Sequence, residues 1–224
     1  MQMVSNHTNE SNQSSDRVVR SRNAKMTRAA LLAKGEQLFA KFGFEGVSLE
    51  KLANEVGGNK TLISYHFKSK KGLYTAVIDN IISDVTEAIL ERLHRSDDPV
   101  EVFDNYIRAL VFSFADRPTF SSILMREYIG GTMSNHEDAF QHVVKLFRLT
   151  DELYRSGVDH GKFKMLDSHL LHFSIVGPVI HFVVSSQFRI DSLSTVAPDI
   201  SNPKLVEFAE HHVQMILCGL ITEA

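Results

Sequence analysis

Apolar residues recur at helical spacing along the chain from residue 25 onward. In the first such stretch, Leu31, Leu38 and Phe42 fall on one helical face, and lysine, glutamate and glutamine occupy the other faces. Gly43 follows the last apolar position, where glycine commonly ends a helix in the left-handed conformation. The pattern predicts a first helix that begins near residue 25 and ends before Gly43.

Two short helices follow the first, separated by a pair of glycines. Ser48 is a good N-cap for the apolar stripe of residues 49–56, because its hydroxyl can accept a hydrogen bond from a free N–H of the first turn. The glycines at 57–58 break the chain, and Asn59 is placed to cap a third helix over residues 60–67. The pattern predicts two helices joined by a tight turn.

The rest of the chain also has helical periodicity, and no segment alternates apolar and polar residues as a strand would. Capping residues and prolines mark where helices begin, and glycines mark several of their ends. The sequence therefore predicts an all-α fold. The later helices are predicted to start after Ser69, at Pro99, at Pro118, near Glu137, at Ser168 and at Lys204, with ends near Val158, Phe188 and Leu220 for the last three.

Positive charge is concentrated near the N-terminus. Residues 17–74 contain 12 Lys and Arg against 4 Asp and Glu, a net charge of +8, whereas residues 75–224 contain 12 basic and 21 acidic residues, a net charge of -9. Such a distribution suits a polyanionic partner at one end, because clustered cations neutralise phosphates and release their counterions. On charge alone, a solvated basic surface is an equally good interpretation.

Composition narrows the classes of protein to consider. Cys218 is the only cysteine, which excludes an intramolecular disulfide and a zinc site built on cysteines. The N-terminal residues lack the apolar core of a signal peptide, and no apolar run is long enough to cross a bilayer, so a cytoplasmic location without membrane association is expected. Residues 1–23 are rich in Ser and Asn and are predicted to be a disordered tail.

Motifs for catalysis or metal binding are missing from the sequence. His169 and His172 are three residues apart, and His211 and His212 are adjacent, but no third ligand follows at a metal-binding spacing. There is no nucleophile elbow, phosphate loop or dinucleotide fingerprint. We therefore expect no enzymatic activity, no metal and no cofactor, apart from a small-molecule effector that the sequence does not identify.

Residues 47–66 have the spacing of a helix-turn-helix motif, whose second helix lies in the major groove of DNA while the first braces it. Burial of the apolar positions leaves the polar side chains of the second helix for base edges and phosphates. Lys70 begins the next helix, where its ammonium and a backbone amide are expected to hold a phosphate. A three-helix packing module without DNA binding is the alternative. The predicted DNA-binding residues are Ser48, Asn59, Lys60, Thr61, Ser64, Tyr65, His66 and Lys70.

The same part of the chain, about residues 25–80, resembles the N-terminal signature of the TetR family of transcriptional regulators. The motifs that carry the resemblance are Phe42-Gly43, Leu52-Ala53-x-x-x-Gly57 and His66-Phe67-x-Ser69-Lys70. The resemblance implies a helical homodimer that binds double-stranded operator DNA and has a divergent C-terminal ligand-binding domain. It also implies that a small molecule moves the fourth helix and changes the spacing of the two DNA-reading domains.

The C-terminal part carries aromatic and apolar residues at helical spacing, which suits either an ordinary core or a ligand pocket between helices. Polar side chains beside apolar ones are the better candidates for ligand contacts, since they give such a pocket its specificity. The helices over residues 168–188 and 204–220 are the predicted dimer interface, because their apolar faces are broader than a monomer needs. The predicted ligand-binding residues are Tyr106, Arg126, Glu127, Phe147, His172, Phe173, Val176, Ile180 and His181.

Three regions are therefore predicted: the tail, a helix-turn-helix domain over residues 24–84, and a helical ligand-binding and dimerisation domain over residues 85–224. The predicted function is that of a ligand-responsive repressor, which binds a roughly palindromic operator as a homodimer and is released by a small molecule. The alternative is an all-α small-molecule carrier or enzyme whose basic head is incidental. The tail arginines at 17, 20 and 22 would serve either as a minor-groove arm or as solubilising charges.

Overall fold

The computed structural model of the chain describes residues 28–222, apart from Gly58, Arg95 and Ser201. The predicted tail and its arginines lie outside the described residues. Within them, one isolated bridge between Phe163 and Ile221 is the only β pairing, so the predicted all-α class is confirmed. The helices are α1 (described over 28–42), α2 (Leu49–Glu55), α3 (Lys60–Phe67), α4 (Lys70–Arg92), α5 (Pro99–Asp116), α6 (Pro118–Gly130), α7 (Glu137–Asp159), α8 (Ser168–Val184), α9 (Ser186–Phe188), α10 (Ser194–Val196) and α11 (Leu205–Leu220).

The chain divides into two compact units, of which the first ends at Val77 and the second begins at Ile78. We call the first unit the head and the second the body. The boundary falls inside α4, about two helical turns before the domain end predicted at residue 84.

The head is built around apolar side chains from all four of its helices. Leu31 and Phe39 of α1, Leu52 of α2, Ile63 of α3 and Leu73 of α4 are fully buried. These side chains come from the apolar stripes of the sequence, as expected for short helices that gain their stability from packing. One face of each helix is thereby committed to the core, and the opposite face of α3 is left for another role.

The turns of the head depend on left-handed backbone positions. Gly43, which follows α1, has φ 71°, and Gly57, between α2 and α3, has φ 63°. Glycine adopts this conformation without the steric cost of a Cβ atom. Lys68, which follows α3, has φ 66° and ψ −40°, and the N–H of Ser69 donates to the carbonyl of Phe67 at 2.7 Å, so Lys68 forms a γ-turn of the rare, strained kind. The turn on each side of α3 is therefore fixed by an unusual backbone conformation.

Helix α5 forms the centre of the body. Phe103, Tyr106, Leu110 and Phe114 of this helix are almost entirely buried, and α7, α8 and α11 pack against it. Its apolar positions occupy most of its circumference, which explains why it is covered by several neighbours.

Helices α8 and α11 each bury only one side. Ile175 and Val179 of α8, together with Ala209 and Val213 of α11, face the core. Their opposite sides are exposed and include large apolar residues such as Leu170 and Met215. Nothing in the described residues of the single chain covers these sides.

The chain after α8 is more helical than the sequence predicted. A helix was expected to end near Phe188 and to be followed by a loop, but α9, a π-helical turn (Arg189–Leu193) and α10 continue to Val196. Thr195 donates a hydrogen bond to the carbonyl of Asp191 at 3.0 Å, so a polar side chain supports this segment in place of an apolar stripe. Periodicity therefore gave no signal for it.

No single helix among the described residues is both long and apolar enough to cross a membrane. Helix α8 and residues 186–196, which are bent by 48° relative to each other, meet the limits of length and composition only when they are taken together.

Candidate nucleic-acid interface

Helices α2 and α3 each begin at a side-chain cap. The Oγ of Ser48 accepts a hydrogen bond from the backbone N–H of Lys51 at 3.1 Å, and the Oδ1 of Asn59 accepts one from the N–H of Leu62 at 3.2 Å. Both residues were predicted to contact DNA, and the structure gives their side chains to the first turns of the helices. Such caps stabilise a helix by about 1 kcal/mol, so they help to hold α3 in place.

The two sides of α3 differ in character. Ile63 and Phe67 are buried against the rest of the head, whereas Thr61, Ser64 and Tyr65 are exposed. Tyr65 stands out most, since 77% of its surface is accessible. The predicted groove-facing residues thus lie on the open side of the helix, available to a duplex.

His66 occupies the edge between the two sides of α3. It is half-buried, and its ring makes an edge-to-face contact with the ring of Tyr65, with centroids 5.0 Å apart. Aromatic pairs prefer this arrangement, which restricts the directions that Tyr65 can take. We therefore assign His66 to the support of Tyr65 more than to an independent contact.

Lys60, the first residue of α3, forms an ion pair with Glu50 of α2. Both side chains are more than half exposed, and the hydrogen bond from Lys60 lowers the pKa of Glu50. The ammonium predicted to meet a phosphate is therefore paired with a carboxylate in the free protein. Sequence reasoning missed Glu50, although an acid at the start of α2 beside the start of α3 could have suggested the pair.

Lys70 was predicted to hold a phosphate together with a backbone amide at the start of α4. Its Nζ lies 4.2 Å from the ring centroid of Phe44, as a cation–π contact, and the side chain is half-buried. Ser69 caps the helix by accepting a hydrogen bond from the N–H of Gly72 at 3.0 Å. In the free protein, the ring of Phe44 therefore fixes the position of the Lys70 ammonium.

Other cations of the head are held in the same way. The Nζ of Lys51 lies 3.4 Å from the ring centroid of Phe42, and the guanidinium of Arg28 lies 5.2 Å from that of Phe67. Cation–π contacts at exposed sites contribute about 0.5–1 kcal/mol and leave N–H groups free for other partners. The aromatic residues of the motif therefore order the basic surface, a role that sequence reasoning did not assign to them.

The predicted ligand-binding residues of the body do not form one group. Tyr106, Thr150 and His172, from α5, α7 and α8, form a buried chain: the Tyr106 hydroxyl lies 2.6 Å from Thr150 Oγ1, which lies 2.7 Å from His172 Nδ1. Phe147 stacks on the His172 ring at a centroid distance of 3.8 Å. Burial raises the pKa of Tyr106 to about 12 and lowers the pKa of His172 to about 4, so both are neutral near pH 7.

The remaining predicted ligand residues lie elsewhere. Glu127 is buried at the end of α6, where it accepts hydrogen bonds from Thr132 at 2.6 Å and His136 at 3.0 Å, and Arg126 beside it is exposed. These two residues therefore lie apart from the Tyr106 chain, and they point in different directions because they are consecutive residues of a helix.

Helix α8 divides its four remaining predicted residues between its sides. Ile180 is buried and Val176 is half-buried, whereas Phe173 and His181 are exposed, Phe173 by 60%. Phe173 and His181 therefore do not line the interior of the single chain, and their contact with a ligand stays a prediction. They belong to the uncovered outer side of α8.

Clefts in the body lie away from the Tyr106 chain. One of about 810 Å³ is lined by Leu90, Val102 and Leu153, among others, and by none of the predicted ligand residues. Across residues 28–57, 59–94, 96–200 and 202–222, no group of three or more His, Cys, Asp or Glu side chains is arranged to hold a metal ion.

Comparison with protein families divides the chain where the structure does. Residues 31–77 match the model of the N-terminal region described as bacterial regulatory proteins, tetR family. Residues 78–221 match the model described as YcdC-like protein, C-terminal region. The two matches together span the described head and nearly all of the body.

Individual relatives and a solved structure of similar fold are also transcriptional regulators. The chain is 29% identical over 163 residues to the HTH-type transcriptional regulator RutR of Escherichia coli (strain K12), covering 73% of this chain and 76% of that protein. It is 27% identical over 109 residues to the HTH-type transcriptional repressor NicS of Pseudomonas putida, covering 49% and 51%. The ketosteroid transcriptional regulator KstR2 of Mycobacterium tuberculosis shares its fold, with a TM-score of 0.68 at 14% identity over 88% of this chain and 95% of that one.

Proposed function

Since this chain belongs to the TetR family of DNA-binding transcriptional regulators, we propose that it represses transcription by binding a roughly palindromic operator as a homodimer, from which a small molecule releases it. A bacterial regulator of this kind acts on DNA in the cytoplasm, so we place it there. The dimer, the symmetry of the operator and the release by a ligand are the parts of this statement that we propose.

The observation that carries the proposal is the open side of α3. Thr61, Ser64 and Tyr65 form a polar and aromatic surface on a helix whose other side is fixed in the core. A recognition helix meets base edges in the major groove with such side chains, which hydrogen-bond to bases and contact thymine methyl groups. The lysines around it supply the contacts to phosphates that set register.

The uncovered sides of α8 and α11 support a homodimer. On α8, Leu170, Phe173, Gly177, His181 and Val184 are exposed at intervals of three or four residues, and they form one stripe. A contiguous apolar stripe of this kind marks a protein interface. Two copies related by a two-fold axis would bury it as a four-helix interface.

A two-fold dimer presents two equivalent heads, so each head meets an equivalent half-site and the operator becomes a palindrome. An operator that overlaps a promoter is blocked by the bound dimer, which supports repression, and the relatives include both a named repressor and a named activator. A ligand that binds the DNA-free conformation more tightly would release the dimer in proportion to its differential affinity.

Selection from a pool of randomised duplexes tests the proposal directly. Purified protein is expected to enrich two inverted half-sites about one helical turn apart, with an affinity that falls steeply as salt is raised. Lys70→Ala is expected to weaken binding to the enriched and to random duplexes alike. Failure to enrich any sequence, with equal affinity for random DNA, would favour the alternative of an all-α carrier or enzyme.

A reporter fused to the promoter upstream of the gene separates repression from activation. Deletion of the gene is expected to raise reporter expression, and restoring the gene is expected to lower it again. A fall in expression on deletion would contradict the repressor assignment while leaving operator binding in place.

A further inference from the structure

A cleft of about 390 Å³ in the body brings cations and apolar side chains together. It lies between the end of α8, the turn that follows it, the start of α6 and the segment that leads into α11. Its walls include Phe182, Ile190 and Leu205, and its polar lining includes Arg189 and Lys204. The volume is in the range of small-molecule sites, which are concave, mostly apolar and carry a few polar groups.

Arg189 is held firmly at this cleft by the protein itself. Its Nη1 donates hydrogen bonds to the carbonyl of Phe182 at 2.6 Å and to the hydroxyl of Ser185 at 2.5 Å, and its Nε donates to Asn202 at 3.3 Å. The guanidinium also stacks over the Phe182 ring, 3.9 Å from the centroid. Burial lowers the pKa of Arg189 from its ordinary value. The charged group is therefore pre-organised at some energetic cost.

The charge of Arg189 is not balanced by a carboxylate within the described part of the chain. Three other arginines of the body are paired, Arg92 with Asp116 at 2.6 Å, Arg108 with Asp104 at 2.5 Å and Arg155 with Asp151 at 2.8 Å, whereas Arg148 is exposed to solvent. The three acceptors of Arg189 are two neutral oxygens of α8 and its C-cap and one amide oxygen, all without charge. Lys204, on the same cleft, forms no ion pair through its ammonium among the described residues, and its backbone N–H donates a hydrogen bond to the carboxylate of Glu207 at 2.8 Å.

We propose that this cleft binds a small amphipathic carboxylate, with the anionic group at Arg189 and Lys204 and a hydrocarbon or aromatic tail against Phe182, Ile190 and Leu205. The proposal rests on the proposed function in one respect, since it makes such a molecule the effector. Three N–H groups of Arg189 are already used, which leaves those of Nη2. The two N–H groups of Nη2 diverge, so one of them would donate to one carboxylate oxygen while Lys204 donates to the other.

The cleft also joins elements that a ligand would hold together. It is bounded by the end of α8 and the start of α11, the two helices whose outer sides are uncovered. A molecule bound there contacts both helices from the side, so occupancy can shift the equilibrium between two packings of the pair. The effector role therefore has a physical route through the proposed dimer interface.

Calorimetry on the DNA-free protein tests the site with three probes of equal tail length: sodium octanoate, 1-octanol and octylammonium chloride. Octanoate is expected to bind at least about tenfold more tightly than the other two, because only it forms charged hydrogen bonds with Arg189. Binding within a series from acetate to octanoate is expected to strengthen with chain length, because each methylene group buries more apolar surface.

Variants show whether the binding takes place in this cleft. Arg189→Gln is expected to lower octanoate affinity about tenfold and to leave 1-octanol unchanged, since it removes a charged hydrogen-bond donor. Arg189→Lys keeps the charge and is expected to retain most of the affinity. Leu205→Ala shortens the wall and is expected to weaken octanoate and 1-octanol alike. Arg148→Gln, at an exposed arginine of α7, is the matched control and is expected to change nothing.

Equal affinity for the three probes, no binding of octanoate, or octanoate binding that survives Arg189→Gln would each overturn the proposed site. Operator binding is measured separately, on protein without octanoate, so a failure of the site is distinguishable from a failure of the regulator. Release of operator DNA by octanoate, lost in Arg189→Gln, supports the effector role. Tight octanoate binding without any release of operator DNA would contradict the effector role, but it would still support the proposed binding site.

Discussion

The head and the body expose opposite kinds of surface. The open side of α3 in the head carries Thr61, Ser64 and Tyr65, surrounded by lysines, whereas the open side of α8 in the body carries apolar side chains such as Leu170 and Phe173. Covering a polar surface with cations by a polyanion costs little free energy, because the polyanion releases its counterions. Covering an apolar stripe by another protein lowers the free energy most, because it removes apolar surface from water. The two regions are therefore suited to different partners, DNA for the head and a second copy for the body.

The largest expected effect comes from a variant that blocks the body's proposed partner, a second copy, and leaves the DNA-binding surface of the head unchanged. Gly177 lies in the exposed stripe of α8, and a Cβ added there would meet no atom within 4 Å in the single chain. The Trp side chain of Gly177→Trp therefore clashes with a second copy and not with another element of its own chain. Because a Cβ atom before Pro178 disfavours the helical backbone, Gly177→Ala is the control for folding. For Gly177→Trp we expect a monomer by analytical ultracentrifugation and a loss of operator affinity of about 1000-fold, because the two heads no longer bind as one unit.

The matched control is Arg148→Trp, which places the same side chain on the exposed side of α7. This variant should remain dimeric and bind the operator normally. The rate at which a thiol reagent labels the exposed Cys218 of α11 offers a second readout, and it should be faster in Gly177→Trp than in the unaltered protein. A dimeric Gly177→Trp would place the interface somewhere other than α8.

The second prediction concerns the buried polar side chains, which within residues 28–222 as described all belong to the body. The pKa of His172 is lowered by burial from 6.5 to about 4, so the folded body favours the neutral imidazole. Its contribution to stability is fully present above pH 6.5 and is lost as the pH falls toward 4, because the unfolded chain binds the proton more readily. We expect the free energy of unfolding to fall by roughly 3 kcal/mol over this range.

Urea unfolding at pH 7 and pH 4.5, followed by circular dichroism, measures this loss. His172→Asn removes the titrating group and should flatten the pH dependence between these values, whereas the same change at the exposed His94, which does not contribute to the shift of His172, should leave it as steep as before. An equal slope in His172→Asn would mean that other groups of the body dominate the acid sensitivity.

The two regions also differed in how much the sequence could predict. Ser48, Asn59 and Gly57 have local roles, as caps and as a turn, so the helix-turn-helix could be placed from neighbouring residues alone. The ligand residues of the body depend on how helices far apart in the chain meet. Tyr106 and His172 come together through Thr150, which no motif or spacing in the chain marked as a contact residue.

The positions of the predicted ligand residues on α8 also depend on contacts between distant parts of the chain. Periodicity identifies the faces of α8, but it does not tell which face meets the core and which meets another molecule. The pattern could therefore not show that Phe173 and His181 lie on the exposed side of the single chain. The cleft at Arg189 was missed because the turn that carries it has no apolar period and read as a loop.

Within the head, the third prediction separates sequence recognition from general affinity. Tyr65 is 77% exposed, so Tyr65→Ala should leave the stability of the protein nearly unchanged. We expect operator affinity to fall about tenfold and affinity for random DNA to stay the same, because a contact to bases discriminates by about 1–3 kcal/mol. Competition with labelled operator and random duplexes measures the two affinities. A parallel fall for both duplexes would assign Tyr65 to the phosphate backbone.

The smallest expected effect tests whether an acidic residue of the head reduces the positive charge that is available to DNA. Glu50 pairs with Lys60 at the start of α3, so the pair neutralises an ammonium where DNA is expected to bind. Glu50→Gln should free Lys60 for a phosphate and raise affinity for random DNA about threefold, with a salt dependence steeper by about 0.9 per head. Glu55→Gln is the control, because it removes the same charge from α2 but frees Lys34 of α1, which is not part of α3. If Glu50→Gln instead weakens operator binding while Glu55→Gln does not, the pair positions the recognition helix, and the open surface of the head depends on an acid as much as on its lysines.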